Sequence, residues 1–277
     1  MNIAIPHRFF PENYLEALAE KNASLYQTAE PFSYVVLDNF LPEEILNKAL
    51  SEFPDVSDPQ WVEFKAETEN SKLASNAYDL IPPTTRYVLD QLNTPPFLNF
   101  LEKLTGIKCL IPDPFYMGGG MHQTKRGGWL DIHVDFNYYE RLKLYRRINV
   151  IVYLNKEWKE EYMGSLELWD ENVKRLKEKV LPIFNRCVIF TTSENSHHGH
   201  PDPLTCPEGM TRKSLAWYYY TAKNGEQVSD EGHATLFKHR PGDGKFFTLK
   251  NIKKFARYCT QPTLLNLSRK IRGINNS

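Results

Sequence analysis

Between Gly127 and Thr221 lies a small set of residues able to act together: His133 and Asp135, then His198, then Arg212 and Ser214. In His133-Val134-Asp135 an imidazole and a carboxylate stand two residues apart. On an extended strand such positions point to the same side. His198 adds a second imidazole well downstream. Two imidazoles and one carboxylate form the facial set that holds Fe(II) while leaving positions open for a cosubstrate and dioxygen. The planar fork of Arg212 suits the far carboxylate of a metal-chelating diacid such as 2-oxoglutarate. A His-x-Asp triplet alone carries little information, so the weight falls on the elements that would bring these residues together.

From Lys108 onward the sequence breaks into short apolar runs separated by turns: Cys109–Pro112, Phe115–Met117, Trp129–Val134, Ile148–Leu154, Leu166–Trp169, Val180–Phe184, Cys187–Thr191 and Leu215–Tyr220. Strands at this spacing predict a β-sandwich or jelly roll. The segment from Arg212 to Thr221 has period-two order. Arg212, Ser214, Ala216 and Tyr218 share one face, and Lys213, Leu215 and Trp217 take the other. Small residues beside a charged Arg suit a face lining a cavity that holds an anion, since a buried guanidinium without a partner is costly. Tyr153, near the end of the Ile148 run, is placed to meet the same anion. His197, His198 and His200 crowd one turn. Only one need bind a metal, and the others either orient that ligand or lie exposed.

Upstream, Phe32–Asp38 reads as a strand, and Pro42-Glu43-Glu44 opens a helix carrying Ile45, Ala49 and Phe53 on one face. Thr84–Leu92 and Pro96–Leu104 predict two further helices, with Gly106 as a C-cap of the second. A helical hint spans Tyr14 to Ala19. The expected organisation is a mainly β fold with flanking helices: support over 1–104, a core over 105–222, and a basic extension over 223–277, integrated as one domain.

The ordered set His133-Val-Asp135, Tyr153-Leu-Asn-Lys-Glu-Trp158, Gly164-Ser-Leu-Glu-Leu168, Phe184-Asn-Arg186, His198 and Thr211-Arg-Lys-Ser214 resembles the prolyl 4-hydroxylase-like branch of the Fe(II)/2-oxoglutarate-dependent dioxygenases. The resemblance covers about residues 105–221. It implies a double-stranded β-helix, Fe(II) as the metal, 2-oxoglutarate as cosubstrate, and ascorbate as a candidate accessory cofactor. It also implies oxidative decarboxylation to succinate coupled to hydroxylation of an unactivated C–H bond. The metal ligands then fall on His133, Asp135 and His198, with His198 preferred to His197 by its distance from Phe184-Asn-Arg186. The distal carboxylate would meet Arg212, helped by Tyr153 and Ser214, and Gln123 falls where the family often has a polar residue near the cosubstrate. Halogenating relatives replace the carboxylate ligand by a small residue, so Asp135 favours hydroxylation. Two departures leave the substrate open between a peptidyl proline and a small molecule or glycan. One is the proline-rich stretch between His198 and Arg212, and the other is the charged, aromatic segment Phe136–Arg147.

Composition removes several other classes. Charged residues make up 25% of the 277 and sum to zero, against 41% hydrophobic, so disorder is not expected. No apolar run is long enough to span a membrane. The four widely spaced cysteines form neither a disulfide framework nor a zinc cluster, and the expected location is a reducing cytoplasm. From Lys238 onward ten Lys or Arg face one acid, Asp243. That segment either packs on an acidic body or attracts an anionic partner. Apolar positions at Leu264, Leu267, Ile271 and Ile274 predict a helix within it. Two rival functions remain for the same residues. In a cupin-like hydrolase or isomerase the ligands would hold zinc, and in a non-catalytic jelly-roll module the site would be a remnant.

Overall fold

The computed structural model describes residues 8–223 and 232–243. Its helices are α1 (Tyr14–Thr28), α2 (Glu43–Ser51), α3 (Pro83–Gln91) and α4 (Pro95–Thr105). Its strands are β1 (Tyr34–Leu37), β2 (Val62–Ala66), β3 (Glu69–Ser75), β4 (Ile111–Pro112), β5 (Gly120–Val134), β6 (Tyr138–Tyr139), β7 (Leu144–Tyr153), β8 (Leu166–Trp169), β9 (Leu176–Val180), β10 (Cys187–Thr191), β11 (His198–His200), β12 (Thr211–Thr221) and β13 (Leu236–Phe237). The predicted C-terminal helix and most of the basic extension lie outside the described residues.

The strands pair in the order β1-β10-β7-β12-β5-β11-β8-β9, with antiparallel neighbours throughout. Sequence neighbours are thus mostly not spatial neighbours, which is the winding of a double-stranded β-helix. β5 connects its two halves. Residues 120–125 pair with β12, whereas His133 and Leu130 pair with β11. The change of partner falls at Gly127 and Gly128. At Gly127 φ is 76°, in the left-handed region that favours glycine. A Cβ at Gly128 would lie 2.7 Å from the Asn70 carbonyl oxygen and 2.9 Å from that of Lys125.

The outer face of the sheet explains the helices. Leu215, Trp217 and Tyr219 of β12, with Ile148, Val150 and Val152 of β7, are buried against Ile45 and Leu46, Val88 and Leu89, and Phe97 and Leu101. Polar tips are satisfied there: Trp217 Nε1 donates to Leu89 O (3.0 Å) and the Tyr219 hydroxyl to Leu92 O (2.7 Å). α4 ends as its sequence predicts, with Gly106 at φ 77° and its N–H donating to Glu102 O. The Asn185-Arg186 turn ties the N-terminal part to this sheet. The Asn185 amide exchanges two hydrogen bonds of 2.8 Å with the Leu41 backbone, and Arg186 forks onto Asp38 at 2.6 and 2.8 Å.

Two expectations are corrected, and one element had no counterpart among them. Phe115–Met117 is a turn, because Asp113 draws the Phe115 and Met117 amides to its carboxylate. The strand expected at Val180–Phe184 lies earlier, at Leu176–Val180, where it pairs with β8. The segment before α3 holds the β2–β3 hairpin, which no apolar alternation announces, and β3 pairs alongside β5. The kink in β5 yields the first test. Gly128→Ala is expected to destabilise the fold by about 1–3 kcal/mol, since backbone oxygens cannot move aside cheaply. Urea unfolding would show this as a lower midpoint at unchanged m.

Candidate metal centre

His133 ends the second half of β5, Asp135 follows at the strand's exit, and His198 begins β11 directly across from His133. All three are buried, and one ligand atom from each lies within 4.8 Å of the others. The imidazole centroids are 4.5 Å apart. Asp135 Oδ1 is 3.6 Å from His133 Nε2, and Oδ2 is 3.3 Å from His198 Nε2.

The imidazoles are oriented by their own backbone. His133 Nδ1 lies 2.9 Å from Asp131 O, and His198 Nδ1 lies 2.8 Å from Ser196 O. A carbonyl can only accept, so Nδ1 carries the hydrogen and a neutral ring presents a lone pair at Nε2. Burial first, and then the neighbouring His198, push His133 below its ordinary pKa. Burial would raise the Asp135 carboxyl, but Arg146 and His198 overcome it and hold the group well below the usual carboxylate range. The Nε2 atoms of both rings therefore face an ionised carboxylate. A divalent cation fits this arrangement, since metal–ligand bonds of about 2.1 Å would set neighbouring ligand atoms roughly 3 Å apart, close to the 3.3 and 3.6 Å between Asp135 and the two rings.

Asp135 is held from behind. Its Oδ2 accepts from Arg146 Nη2 (2.9 Å) and Asn149 Nδ2 (2.7 Å), and Arg146 Nε donates to Asn149 Oδ1 (2.9 Å). Arg146 is stacked on the Tyr218 ring, 3.3 Å from its centroid, and also covers Phe136. On other sides the Phe190 ring lies 4.7 Å from His198, and Phe237 of β13 lies 5.4 Å from His133.

Arg212 occupies the face of β12 expected for it and is buried. Its Nε donates to Gly164 O (2.6 Å), and Nη2 donates to the Tyr153 hydroxyl (3.3 Å). Among the described residues no carboxylate pairs with it. Ser214 lies opposite both Tyr153 and His122 in the sheet register. Burial lowers the pKa of His200, and Arg212, Lys72 and His133 act in the same direction, so this ring feels the charges at both ends of the site.

Gln123 is a correction. It faces Lys213 across the β5–β12 pair, on the opposite side of the sheet from Arg212. Its amide is consumed there, donating to Pro54 O (3.2 Å) and accepting from the Thr211 hydroxyl (2.9 Å). Period-two alternation puts His122 on the same face as Arg212 instead, half-buried and pushed down to about 3 by desolvation and then by Lys72, with Nε2 unpartnered. Sequence reasoning missed His122, and also Lys72, which lies across from Thr124 in the register of β3. The signal for His122 was its even spacing from Thr124 on a strand.

Residues 119–220 match the sequence model of the 2OG-Fe(II) oxygenase superfamily. Among solved structures, the chain is similar to a prolyl hydroxylase from Trichoplax adhaerens in complex with a hypoxia inducible factor peptide. The TM-score is 0.55 at 15% identity, over 74% of this chain and 90% of that one. It is also similar to HygX from Streptomyces hygroscopicus with nickel, 2-oxoglutarate and hygromycin B bound. There the TM-score is 0.50 at 11% identity, over 72% and 86% of the two chains. A third likeness is to the epimerase SnoN in complex with Fe3+, alpha ketoglutarate and nogalamycin RO, at TM-score 0.51 and 12% identity, over 83% and 93%. With a jelly roll around the paired histidines and Asp135, the chain carries a domain of the 2OG-Fe(II) oxygenase superfamily over residues 119–220 and is a 2-oxoglutarate- and Fe(II)-dependent oxygenase.

Proposed function

We propose that this oxygenase hydroxylates an unactivated C–H bond of a peptidyl proline, with a small molecule or glycan as the second substrate class. In this reading His133, Asp135 and His198 hold the iron. Arg212, Tyr153 and Ser214 receive the far carboxylate of 2-oxoglutarate. Residues 105–222 are the catalytic core, 1–104 its support and 223–277 an extension. When bound, Fe(II) would let dioxygen act as the oxidant, one oxygen atom going to the cosubstrate as it loses CO2 to become succinate and the other to the substrate C–H bond. The protein's own part is to orient two neutral imidazoles, keep Asp135 ionised, and hold one cation ready for a dicarboxylate.

The observation that carries the reading is Arg212, a buried guanidinium that has a phenol and a carbonyl but no carboxylate among the described residues. A buried cation of this kind is costly unless an anion completes it. The peptide class is supported by the Trichoplax neighbour and the small-molecule class by HygX. A reducing cytoplasm suits the thiols Cys109, Cys187 and Cys206, which are free among the described residues. No helix among the described residues is long and apolar enough to cross a membrane.

Anaerobic titration with Fe(II) and 2-oxoglutarate should produce the visible charge-transfer band of the chelate. His198→Ala should abolish it and His197→Ala should retain it. Arg212→Ala should keep metal binding but weaken 2-oxoglutarate by about 2–5 kcal/mol, roughly 30-fold or more. Folded wild-type protein that gives no band would overturn the reading. Asp135→Ala should release no succinate in a coupled assay, and undiminished release would remove Asp135 from the ligand set. We also propose that the basic extension meets an anionic partner. Deleting residues 261–277 should then flatten the salt dependence of binding to a polyanion such as heparin, and an unchanged slope would end that idea.

A further inference from the structure

The side chains behind Asp135 form a closed arrangement. Asn149 Oδ1 accepts from Arg146 Nε (2.9 Å) and from the Thr192 hydroxyl (3.3 Å), so its NH2 end is fixed toward Asp135. Asp135 Oδ2 then receives two donors, Asn149 Nδ2 at 2.7 Å and Arg146 Nη2 at 2.9 Å. A carboxylate oxygen offers about two lone-pair directions. Those of Oδ2 are occupied although it lies 3.3 Å from His198 Nε2, and Oδ1, 3.6 Å from His133 Nε2, keeps its own.

The backbone makes this possible through one irregularity. Arg146 and Asn149 are three apart on β7, and in a regular strand they would face opposite sides. Between them the register slips: Tyr219 pairs with Ile148 while Tyr220 pairs with Arg146, leaving Arg147 as an extra residue. A bulge of this kind re-aims a side chain, and here it turns Arg146 onto the same side as Asn149. Arg147 points elsewhere, donating to the Thr221 hydroxyl at 3.2 Å. The Arg146 side chain is 1% exposed and packed on Tyr218 and Phe136, so it has no freedom to leave.

We infer that Arg146 and Asn149 are positioning residues that restrict Asp135 to a single metal-ligating oxygen, so that three coordination positions stay open. Resting on the proposed iron site, the inference has a coordination-chemistry consequence. Two imidazoles and one carboxylate oxygen leave three of six positions: two for a chelating 2-oxoacid and one for dioxygen. Without those two donors Oδ2, which already lies on the His198 side, could bind as well, and the carboxylate would take the third.

The test uses nitric oxide as a one-position probe of the anaerobic Fe(II)·2-oxoglutarate complex, read from the electron paramagnetic resonance signal of the adduct. The variants are Arg146→Met, which keeps an apolar stem between the two rings, and Asn149→Leu. Arg146→Lys serves as the conservative rescue. Each should retain the charge-transfer band. The first two should bind nitric oxide at least about tenfold more weakly than wild type, the scale of loss seen when groups that orient a metal ligand are removed. The Lys variant should recover part of that loss. A purely structural role would lower thermal stability without moving the adduct signal. Wild-type nitric oxide affinity in both variants would overturn the inference, and so would loss of iron from both. Absence of the charge-transfer band in the wild type would instead fault the iron assignment itself. Should Arg146→Met fail to fold, Asn149→Leu leaves the Arg146 stack in place and carries the test.

Discussion

Two imidazole Nε2 atoms facing an ionised carboxylate, all buried together, form the constraint on which the rest of the molecule depends. Each Nδ1 is committed to a backbone carbonyl two residues earlier in the chain, so neither ring can turn its hydrogen inward. Protonating either ring would relieve the clash, but burial opposes it for His133. Protonating Asp135 is opposed by Arg146. A divalent cation is the economical answer, and the fold is arranged to keep it so.

That arrangement requires one strand to serve both halves of the sheet. β5 carries His133 in its second half, while its first half pairs with the strand bearing Arg212. The glycine kink lies between the cluster of His133, Asp135 and His198 and the part of β5 that pairs with the strand bearing the buried guanidinium. Among the described residues Arg212 forms no ion pair with Asp135, whose Oδ2 receives Arg146 and Asn149. The Arg212 guanidinium is therefore left for an anion from outside. An anion that also chelates the metal satisfies both needs at once.

Much of this was legible in the sequence, and the limits have physical causes. The period-two order of β12 placed Arg212 and Ser214 inward and Trp217 outward, because alternation is a geometric necessity of an extended chain. The triad was legible from residue type, and the choice of His198 over His197 agrees with the geometry found here. Gln123 was misplaced because a spacing along the chain does not fix parity, and one residue of slip exchanges the two faces of a strand. The hairpin of β2 and β3 was missed because its residues are largely polar and only partly buried, so no apolar pattern marks it. Arg146 was invisible for a sharper reason. It lies in the charged, aromatic segment Phe136–Arg147, where side-chain type gives no face, and only the bulge at Arg147 turns it inward.

The ligand set by itself does not choose between an oxygenase and a zinc hydrolase, since imidazole and carboxylate serve both metals. The surroundings do choose. A tetrahedral zinc completes its shell with one water and needs nothing from a distant wall. It would leave the Arg212–Tyr153 pair buried without a counter-ion, at a cost the fold has no other reason to bear. A carboxylate ligand tied back through one oxygen by Arg146 and Asn149 is likewise superfluous for a four-coordinate ion. It is needed by a six-coordinate one that must keep positions open. The oxygenase assignment therefore accounts for two buried arginines as well as for three ligands, and the hydrolase accounts only for the ligands.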